Sequence, residues 1–310
     1  MNIAVIDMGT NTFQLLVGKP DPDGFTPLFR TSFFVKIGKG GISEGKITDE
    51  AMERAIIALK KLQAHALEHG AGEIHATATS AIRSAKNSRT FLEKIEKETG
   101  ILPRVIDGNE EAGFIYSGVR SVFDPGKEKM LILDIGGGSV EFIIADGETV
   151  FWKRSIEIGA QRLVDAFHHS DPIAKDELLR LTSFLDGKLE EVFGEIEKHQ
   201  PKMMVGCAGT FDTVQDIYCQ EKGLPKDGGE VFEVPISAYL SIHQQFVEKD
   251  RAGRLEIPGM LEKRVDMIVV ASVLADFLLH KGGFEKLIVS KASLKEGVLY
   301  QMGKSSPNMS

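Results

Sequence analysis

The sequence predicts an α/β protein of two domains, in each of which helices cover a mixed β-sheet. Three observations support this fold class. The chain has 310 residues, enough for about two domains. Short apolar strand segments alternate with amphipathic helical segments, and one motif occurs twice, at residues 7–18 and 134–145. We expect domains at residues 1–118 and 119–310, and a helix near 293–302 could pack back on the first of them.

The repeated motif predicts a β-hairpin that binds a ligand at its turn. DMGTNTFQLLVG aligns with DIGGGSVEFIIA, and in each copy an apolar strand leads into an Asp, a turn of small and hydroxyl residues, and a second strand. Small residues let backbone N–H groups approach an anion and hydroxyls add donors, so phosphate is the expected ligand. Alternatively, the glycines serve only the tight hairpin geometry. The turn residues expected to bind phosphate are Thr10, Asn11, Thr12, Gly136, Gly137, Gly138 and Ser139.

The elements of the first half follow the hairpin in order. Residues 36–46 are rich in Gly and Lys and predict a loop. The basic residues of 30–46 could line a path for an anion or simply keep the loop soluble. Thr48 is expected to cap a helix over about residues 49–69. The next predicted elements are a strand near 73–78, a helix near 88–99, a strand near 103–106 and a helix from Glu110 with Asn109 as its cap.

The second half repeats this plan with additions. Its hairpin is predicted over residues 130–155, and a glycine-containing loop, GCAGT, at residues 206–210 follows a strand. The other predicted elements are helices near 160–168 and 174–199, a strand at 203–205, helices near 236–249 and 260–280, a strand at 287–290 and a last helix near 293–302.

Composition excludes several classes of protein. The net charge of -8 argues against a surface for nucleic-acid polymers. No apolar run reaches the roughly 18 residues that a membrane-spanning helix needs, and Met1 leads directly into a strand, so we expect a cytoplasmic protein. Two cysteines, Cys207 and Cys219, are too few for a disulfide scaffold. No heptad pattern indicates an oligomer, and a homodimer stays open.

Seven motifs in this order resemble the exopolyphosphatase and guanosine pentaphosphatase (Ppx/GppA) family. They are DMGTNT at 7–12, ATSAIRSAKN at 78–87, GNEEA at 108–112, DIGGGSVE at 134–141, IGAQRL at 158–163, GCAGT at 206–210 and SLKEGVL at 293–299. The resemblance implies two ribonuclease H-like domains of the actin, sugar kinase and heat-shock chaperone superfamily, with a phosphate-binding cleft between them. Many members carry a further C-terminal helical region, so a chain ending at residue 310 is expected to favour shorter substrates.

The resemblance also implies roles for two glutamates. Glu111, the second Glu of GNEEA, looks like the catalytic residue that orients or deprotonates the attacking water. From the residues alone, a carboxylate favoured by the helix dipole in the first helical turn is an equal explanation. Glu141 matches the family's second acidic residue and is expected to bind metal or water. Its alternative is the solvated face of an antiparallel strand.

The duplicated Asp predicts a magnesium site. Asp7 and Asp134 each end a strand and are each followed by Gly two positions later. A common structural use of Asp at such a position is to form a turn. Its duplication favours Mg²⁺ binding instead, partly through water, because that ion keeps much of its hydration shell.

Three further residues are expected at phosphate. Arg83, in the family-like TSAIR segment, is a candidate clamp because guanidinium binds phosphate in a bidentate way. Gly206 and Gly209 resemble the glycine pair that lets a backbone pass close to a nucleotide in ATP-using relatives. In this chain they could bind phosphate, a nucleotide base or nothing.

The expected function is a magnesium-dependent phosphohydrolase. It would release terminal phosphate from inorganic polyphosphate or the 5′ phosphate of guanosine pentaphosphate, and nothing in the sequence separates these substrates. Two alternatives stay open: an ATP-using kinase or ATPase of the same superfamily, and a non-catalytic sensor of a phosphorylated alarmone. The two glutamates argue against the sensor, because carboxylates beside phosphate repel it.

Overall fold

The fold consists of two compact units, described by a computed structural model for residues 1–225 and 229–305. Unit 1 comprises Met1–Ser121, Gly136–Ser139 and the chain from Ala292. Unit 2 comprises Val122–Ile135 and the chain from Val140 to Lys291. The first division between the units thus falls after residue 121, whereas the boundary expected from the sequence falls after residue 118.

Unit 1 has a mixed sheet of five strands among its described residues, in the order β3-β2-β1-β4-β5. Strands β1, β2 and β3 are antiparallel, whereas β4 runs parallel to β1 and β5 parallel to β4. The elements are β1 (Asn2–Met8), β2 (Thr12–Asp21), β3 (Gly24–Phe34), a 3₁₀ turn (Ile42–Glu44), α1 (Asp49–Glu68), β4 (Ala71–Ala78), α2 (Ser80–Ser84), α3 (Ser88–Thr99), β5 (Arg104–Val105), α4 (Gly108–Val122) and the last helix of the chain, α12 (Leu294–Ser305).

Helix α1 shows how the sequence builds the core of unit 1. The hydroxyl of Thr48 accepts a hydrogen bond from the Ala51 backbone at 3.3 Å, which confirms the predicted cap. The predicted apolar face, which includes Leu59 and Leu62, is fully buried. This face joins the core together with side chains of the sheet and of α3, such as Phe91.

Unit 2 repeats the arrangement with one strand more. The sheet order among its described residues is β10-β11-β9-β6-β7-β8, with β6, β7 and β8 antiparallel and β9 parallel to β6. The elements are β6 (Met130–Ile135), β7 (Val140–Ala145), β8 (Val150–Ile156), α5 (Ala160–Phe167), α6 (Lys175–Lys188), α7 (Glu190–His199), β9 (Met203–Cys207), α8 (Ala208–Lys222), β10 (Val231–Val234), α9 (Ile236–Glu248), α10 (Arg251–Leu255), α11 (Ile268–Gly282) and β11 (Lys286–Ser290).

The two hairpins are the same structure in detail. The Gly9 N–H donates to the Thr12 carbonyl at 3.2 Å, and the Gly136 N–H donates to the Ser139 carbonyl at 3.1 Å. In each unit, three antiparallel strands are followed by a parallel strand beside the first of them. The predicted α/β fold with two ribonuclease H-like sheets flanked by helices is confirmed.

Helix α12 packs on the first strands of the chain and on α4. A Cβ at Gly18 of β2 would lie 2.5 Å from Leu299 Cδ2. A Cβ at Gly297 would lie 1.7 Å from the Phe114 carbonyl oxygen, and one at Gly118 would lie 1.9 Å from the Ser293 carbonyl oxygen. Because any side chain at Gly118 or Gly297 would overlap backbone, these two glycines let α4 and α12 cross in direct backbone contact.

Three predicted boundaries were wrong. The single helix expected over 174–199 is two helices that meet at Leu189, because the apolar spacing continues across the bend. The helix expected from residue 260 begins at Ile268. Short turns such as the 2.8 Å bond from the Arg264 N–H to the Leu261 carbonyl precede it and carry a similar pattern. The GCAGT segment is not a loop, since β9 continues to Cys207 and α8 starts at Ala208.

Within the described part of the chain, no helix is both long enough and apolar enough to cross a membrane.

Candidate active site

Glu111 lies in the first turn of α4 and is held there by an arginine. Asp107 caps the helix, because its Oδ1 accepts hydrogen bonds from the backbone of Asn109 and Glu110 at 2.8 Å each. The expectation that Asn109 is the cap was therefore wrong. The Glu111 side chain is 6% exposed, and its Oε2 accepts a 2.7 Å hydrogen bond from Arg83 Nη1. Arg83 Nη1 also lies 3.1 Å from the Ile106 carbonyl oxygen.

This contact gives Arg83 a structural role next to the carboxylate. A guanidinium at hydrogen-bond distance favours the charged form of its partner. Glu111 is thus a buried, ionised carboxylate held in one orientation, which suits a group that orients a water molecule by accepting its hydrogen bond.

The turns at residues 9–12 and 136–139, which we call the phosphate-type turns, contribute to one cluster in unit 1. A Cβ at Gly137 would lie 2.4 Å from Asn11 Nδ2, and one at Gly138 would lie 2.5 Å from Ser80 Oγ and 2.6 Å from Thr10 Oγ1. The side chains of Thr10, Asn11 and Ser80 are all buried. The glycines therefore allow hydroxyl and amide groups to approach the backbone of the 136–139 turn.

One hydroxyl at the start of β2, next to the turn, has no partner among the described residues. Thr12 Oγ1 is buried and makes no hydrogen bond to any described residue. A buried hydroxyl normally has a partner, because leaving it unsatisfied costs about 1–3 kcal/mol. A ligand oxygen at the turn would satisfy it.

Two buried carboxylates face each other in unit 2. Asp134 on β6 and Glu141 on β7 are direct cross-strand partners, 7% and 2% exposed. Side chains of such a pair lie on the same face of the sheet, about 5 Å apart at Cβ. Ser155 on β8 donates a 2.7 Å hydrogen bond to Glu141 Oε1. Because Glu141 is buried, the alternative of a solvated strand face is wrong.

These carboxylates fit a magnesium ion. The described residues 1–225 and 229–305 contain no cluster of three or more His, Cys, Asp or Glu side chains arranged as metal ligands. Mg²⁺ is usually bound through one or two carboxylates, with water and substrate phosphate completing its shell. The Asp134 and Glu141 pair provides that number of carboxylates.

Asp7 occupies the equivalent position in the first hairpin but has a neutral partner. Its cross-strand partner is Gln14, whose Nε2 lies 3.5 Å from Asp7 Oδ2. Asp7 is partly exposed, unlike Asp134. The two copies therefore share a backbone and differ in charge at one register position.

Gly206 and Gly209 make room for side chains of the chain itself. A Cβ at Gly206 would lie 2.2 Å from Phe211 Cδ1, and one at Gly209 would lie 1.8 Å from Arg264 Cζ. Ala208 between them has φ of 64°, a left-handed conformation that is uncommon for residues other than glycine. Binding of phosphate by the two glycines stays a prediction.

Arg264 adds positive charge near Asp134. Burial lowers the pKa of the Arg264 guanidinium, while the carboxylates of Asp212 and Asp134 raise it. Arg264 was not predicted as a site residue, because it lies near the start of the helix expected over 260–280. Ser80 and Ser155 were not predicted either, because their roles depend on which strands and turns become neighbours. Ser80 is the only one of the three in a motif that the sequence analysis singled out, TSAIR.

The fold and these groups define an α/β protein with two units of like sheet topology and a candidate phosphate-binding turn. The chain belongs to the Ppx/GppA phosphatase family, which matches residues 16–306. It is similar to a crystal structure of an exopolyphosphatase from Cytophaga hutchinsonii, with 40% identity, a TM-score of 0.94 and coverage of 98% of each chain.

More distant relatives agree with this assignment. The crystal structure of the Aquifex aeolicus member of the Ppx/GppA family is 25% identical, with a TM-score of 0.78 and coverage of 97% of each chain. Exopolyphosphatase 1 of Mycobacterium tuberculosis is 27% identical over 306 residues, which is 96% of this chain and 87% of the relative. Exopolyphosphatase 1 of Mycobacterium leprae is 27% identical over 303 residues, 96% and 88% of the two chains.

Proposed function

We propose that this protein is a magnesium-dependent phosphohydrolase that releases the terminal phosphate of inorganic polyphosphate, and that guanosine pentaphosphate is a second candidate substrate. The observation that carries the proposal is Glu111, a buried carboxylate held by Arg83 in the unit that also contains the phosphate-type turns. The relatives named exopolyphosphatase favour polyphosphate as the first substrate to test.

The turns bind the terminal phosphate. The hydroxyls of Thr10, Thr12 and Ser80 and the backbone N–H groups of 136–139 supply donors for its oxygens. The unsatisfied Thr12 hydroxyl supports this role. Fixed donors are needed here because catalysis of phosphoryl transfer depends mainly on positioning and on stabilising charge.

Glu111 accepts the proton of the attacking water. As the water oxygen bonds to the terminal phosphorus, the bridging P–O bond breaks and its electron pair leaves with the shortened chain. The products are inorganic phosphate and a polyphosphate one unit shorter. Arg83 keeps Glu111 charged and oriented through the 2.7 Å contact.

Asp134 and Glu141 would hold the magnesium ion, and Ser155 orients Glu141. When bound, Mg²⁺ supplies positive charge that offsets the charge of the phosphate oxygens. We assign Asp7 to magnesium binding through water as well, by its equivalence to Asp134 in the repeat.

The test is phosphate release by the full chain with Mg²⁺ from polyphosphates of several lengths, guanosine pentaphosphate and ATP. Glu111→Gln should lower kcat by about 10²–10⁴-fold, the usual contribution of a general base. Glu110→Gln is the matched control. Glu110 is the adjacent residue on α4 and pairs with Arg104 rather than Arg83, so its loss should change kcat less than about twofold.

The substrates separate the competing functions. Release from polyphosphate or guanosine pentaphosphate that is abolished in Glu111→Gln supports the proposal, and the preferred substrate decides between the two. Saturable turnover of ATP alone would support a kinase or ATPase. Binding of a phosphorylated alarmone by folded protein without any release would support a sensor and contradict the enzyme.

A further inference from the structure

Two segments that are bonded to the phosphate-type turn at residues 9–12 or follow one of its neighbours, Ser80, are rich in basic residues. Residues 30–48 contain four basic residues and one acidic residue, although the whole chain has a net charge of -8. Residues 79–89 contain three basic residues and no acidic one. We call residues 35–47 the basic loop. Its lysines are Lys36, Lys39 and Lys46.

The basic loop begins at the phosphate-type turn. The Asn11 carbonyl accepts hydrogen bonds from the backbone of Val35 at 2.8 Å and Lys36 at 2.9 Å. The Gly38 N–H donates to the Thr10 carbonyl at 3.2 Å. The backbone of Lys36, and of Gly38 next to Lys39, is therefore bonded directly to two of the residues expected to bind the terminal phosphate.

The other end of the basic loop is bonded to the segment after α2. The Lys86 N–H donates to the Gly45 carbonyl at 2.8 Å. Asn87 accepts from the Ile47 N–H at 3.0 Å and donates to the Ile47 carbonyl at 2.7 Å. Helix α2, which precedes Lys86, contains Ser80 of the turn cluster. Lys86 thus lies beside the far end of the basic loop, six residues after Ser80 in the chain.

Arg54 holds the first two residues of the basic loop in place. Arg54 of α1 donates from Nε to the Val35 carbonyl and from Nη2 to the Lys36 carbonyl, each at 3.0 Å. Lys36 has φ of 52°, in the left-handed region. Its Nζ lies 4.7 Å from the centre of the Phe34 ring. A non-glycine residue is held in this conformation only where its surroundings determine it, and such positions occur often at ligand sites.

Three of the lysines have charges available for a ligand. Lys46 pairs with Glu44 at 2.7 Å. In contrast, Lys36, Lys39 and Lys86 form no ion pair within 4.0 Å of any described residue. Lys86 acts on Glu44 only at longer range, and Glu44 already pairs with Lys46. Lysine is a compact point charge on a flexible stem, which suits a flexible chain of phosphates better than one fixed oxyanion.

We propose that Lys36, Lys39 and Lys86 form a subsite for the phosphates that follow the terminal one, and that this subsite gives the protein a preference for longer inorganic polyphosphate. This preference is opposite to the shorter substrates expected from the length of the chain. The proposal rests on the proposed function, because the turn has to bind the terminal phosphate for the lysines to meet the next ones. A chain of several phosphates reaches the lysines, whereas a short oligophosphate is bound mainly at the turn.

The test compares long-chain polyphosphate with tripolyphosphate. Binding of both is measured to full-length Glu111→Gln protein, with and without the substitutions Lys36→Gln, Lys39→Gln and Lys86→Gln. Affinity for the long chain should fall about fivefold per lysine, because one charge pair in water contributes about 1 kcal/mol. Affinity for tripolyphosphate should change less than about twofold. The slope of log affinity against log salt for the long chain should also decrease, since fewer counterions are released.

Lys97→Gln is the matched control. Lys97 is an exposed lysine of the same unit, nine residues along α3 from Ser88, or about 14 Å at the helical rise. That distance exceeds the Debye length of about 10 Å at 0.1 M salt, so its loss should change neither affinity.

The outcomes separate this subsite from the proposed function. Selective loss for the long chain supports the subsite, even if wild-type protein releases no phosphate and the proposed function fails. Equal losses for both ligands, unchanged affinity, or the same loss in Lys97→Gln overturns the subsite, even if wild-type protein hydrolyses polyphosphate.

Discussion

Gly138→Ala is expected to distort the phosphate-type turn at residues 136–139, because the new methyl group would overlap neighbouring hydroxyls. The new Cβ would lie 2.5 Å from Ser80 Oγ and 2.6 Å from Thr10 Oγ1, much closer than such atoms approach in folded proteins. Both hydroxyls belong to buried side chains, 1% and 3% exposed. At least one of them has to rotate away from the turn.

The magnitude follows from the groups that move. Overpacking of a buried site costs about 1–3 kcal/mol of unfolding free energy. A hydrogen bond to a charged group contributes about 1.5–3 kcal/mol, so displacing one hydroxyl from the phosphate corresponds to a fall in kcat/KM of about 10- to 150-fold. We expect both effects in Gly138→Ala.

The assay pairs urea unfolding with phosphate release from polyphosphate. Gly187→Ala is the control, because Gly187 of α6 has no heavy atom within 4 Å of its Cβ position. That variant should keep its kcat/KM and gain up to about 1 kcal/mol of stability from its helix propensity. If Gly138→Ala lost stability but kept kcat/KM within about twofold, the turn would not contact the reacting phosphate, and our reasoning would be refuted.

Two further predictions concern buried carboxylates. Arg83→Ala should lower the free energy of unfolding by about 1–3 kcal/mol in urea titrations, because Glu111 loses its charged partner. Arg89→Ala, whose side chain is 93% exposed, should cost less than about 0.5 kcal/mol, and equal costs would contradict the structural role. Burial raises the pKa of Glu177, but hydrogen bonds from the Ser170 hydroxyl and three backbone N–H groups lower this pKa from 4.5 to about 2. Glu177 therefore stabilises the fold above about pH 4.5, and about 3 kcal/mol is lost as pH falls from there through about 2. Urea unfolding of Glu177→Gln should lack this slope, and an unchanged slope would contradict the assignment.

The repeat made much of the fold predictable from the sequence. It predicts the two hairpins, and the cap at Thr48 is a local feature that depends on neighbouring residues alone. Boundaries inside continuous apolar patterns were not predictable in this way. The bend at Leu189 keeps the spacing of buried residues, so periodicity cannot show it.

Several residues of the candidate site were predicted from the sequence, but the contacts between them were not. Glu111 was identified by its motif, yet its link to Arg83 joins residues 28 positions apart and depends on how α2 and α4 pack. Ser155 becomes a partner of Glu141 only through the register of β7 and β8. Arg264 was missed because its position is set by turns before α11, which resemble a helix in sequence.

The packing of α12 on β2 affects the order in which the chain is completed during synthesis. Leu299 and Val298 of α12 are buried in unit 1, and Leu299 lies against Gly18 of the second strand. In most chains the N-terminal domain folds first as it leaves the ribosome. Here unit 2 has all its residues once Lys291 is made, whereas the first strands of unit 1 wait for the chain from Ala292 to cover them. The first strands of unit 1 are therefore synthesised before unit 2 but covered only after it is complete.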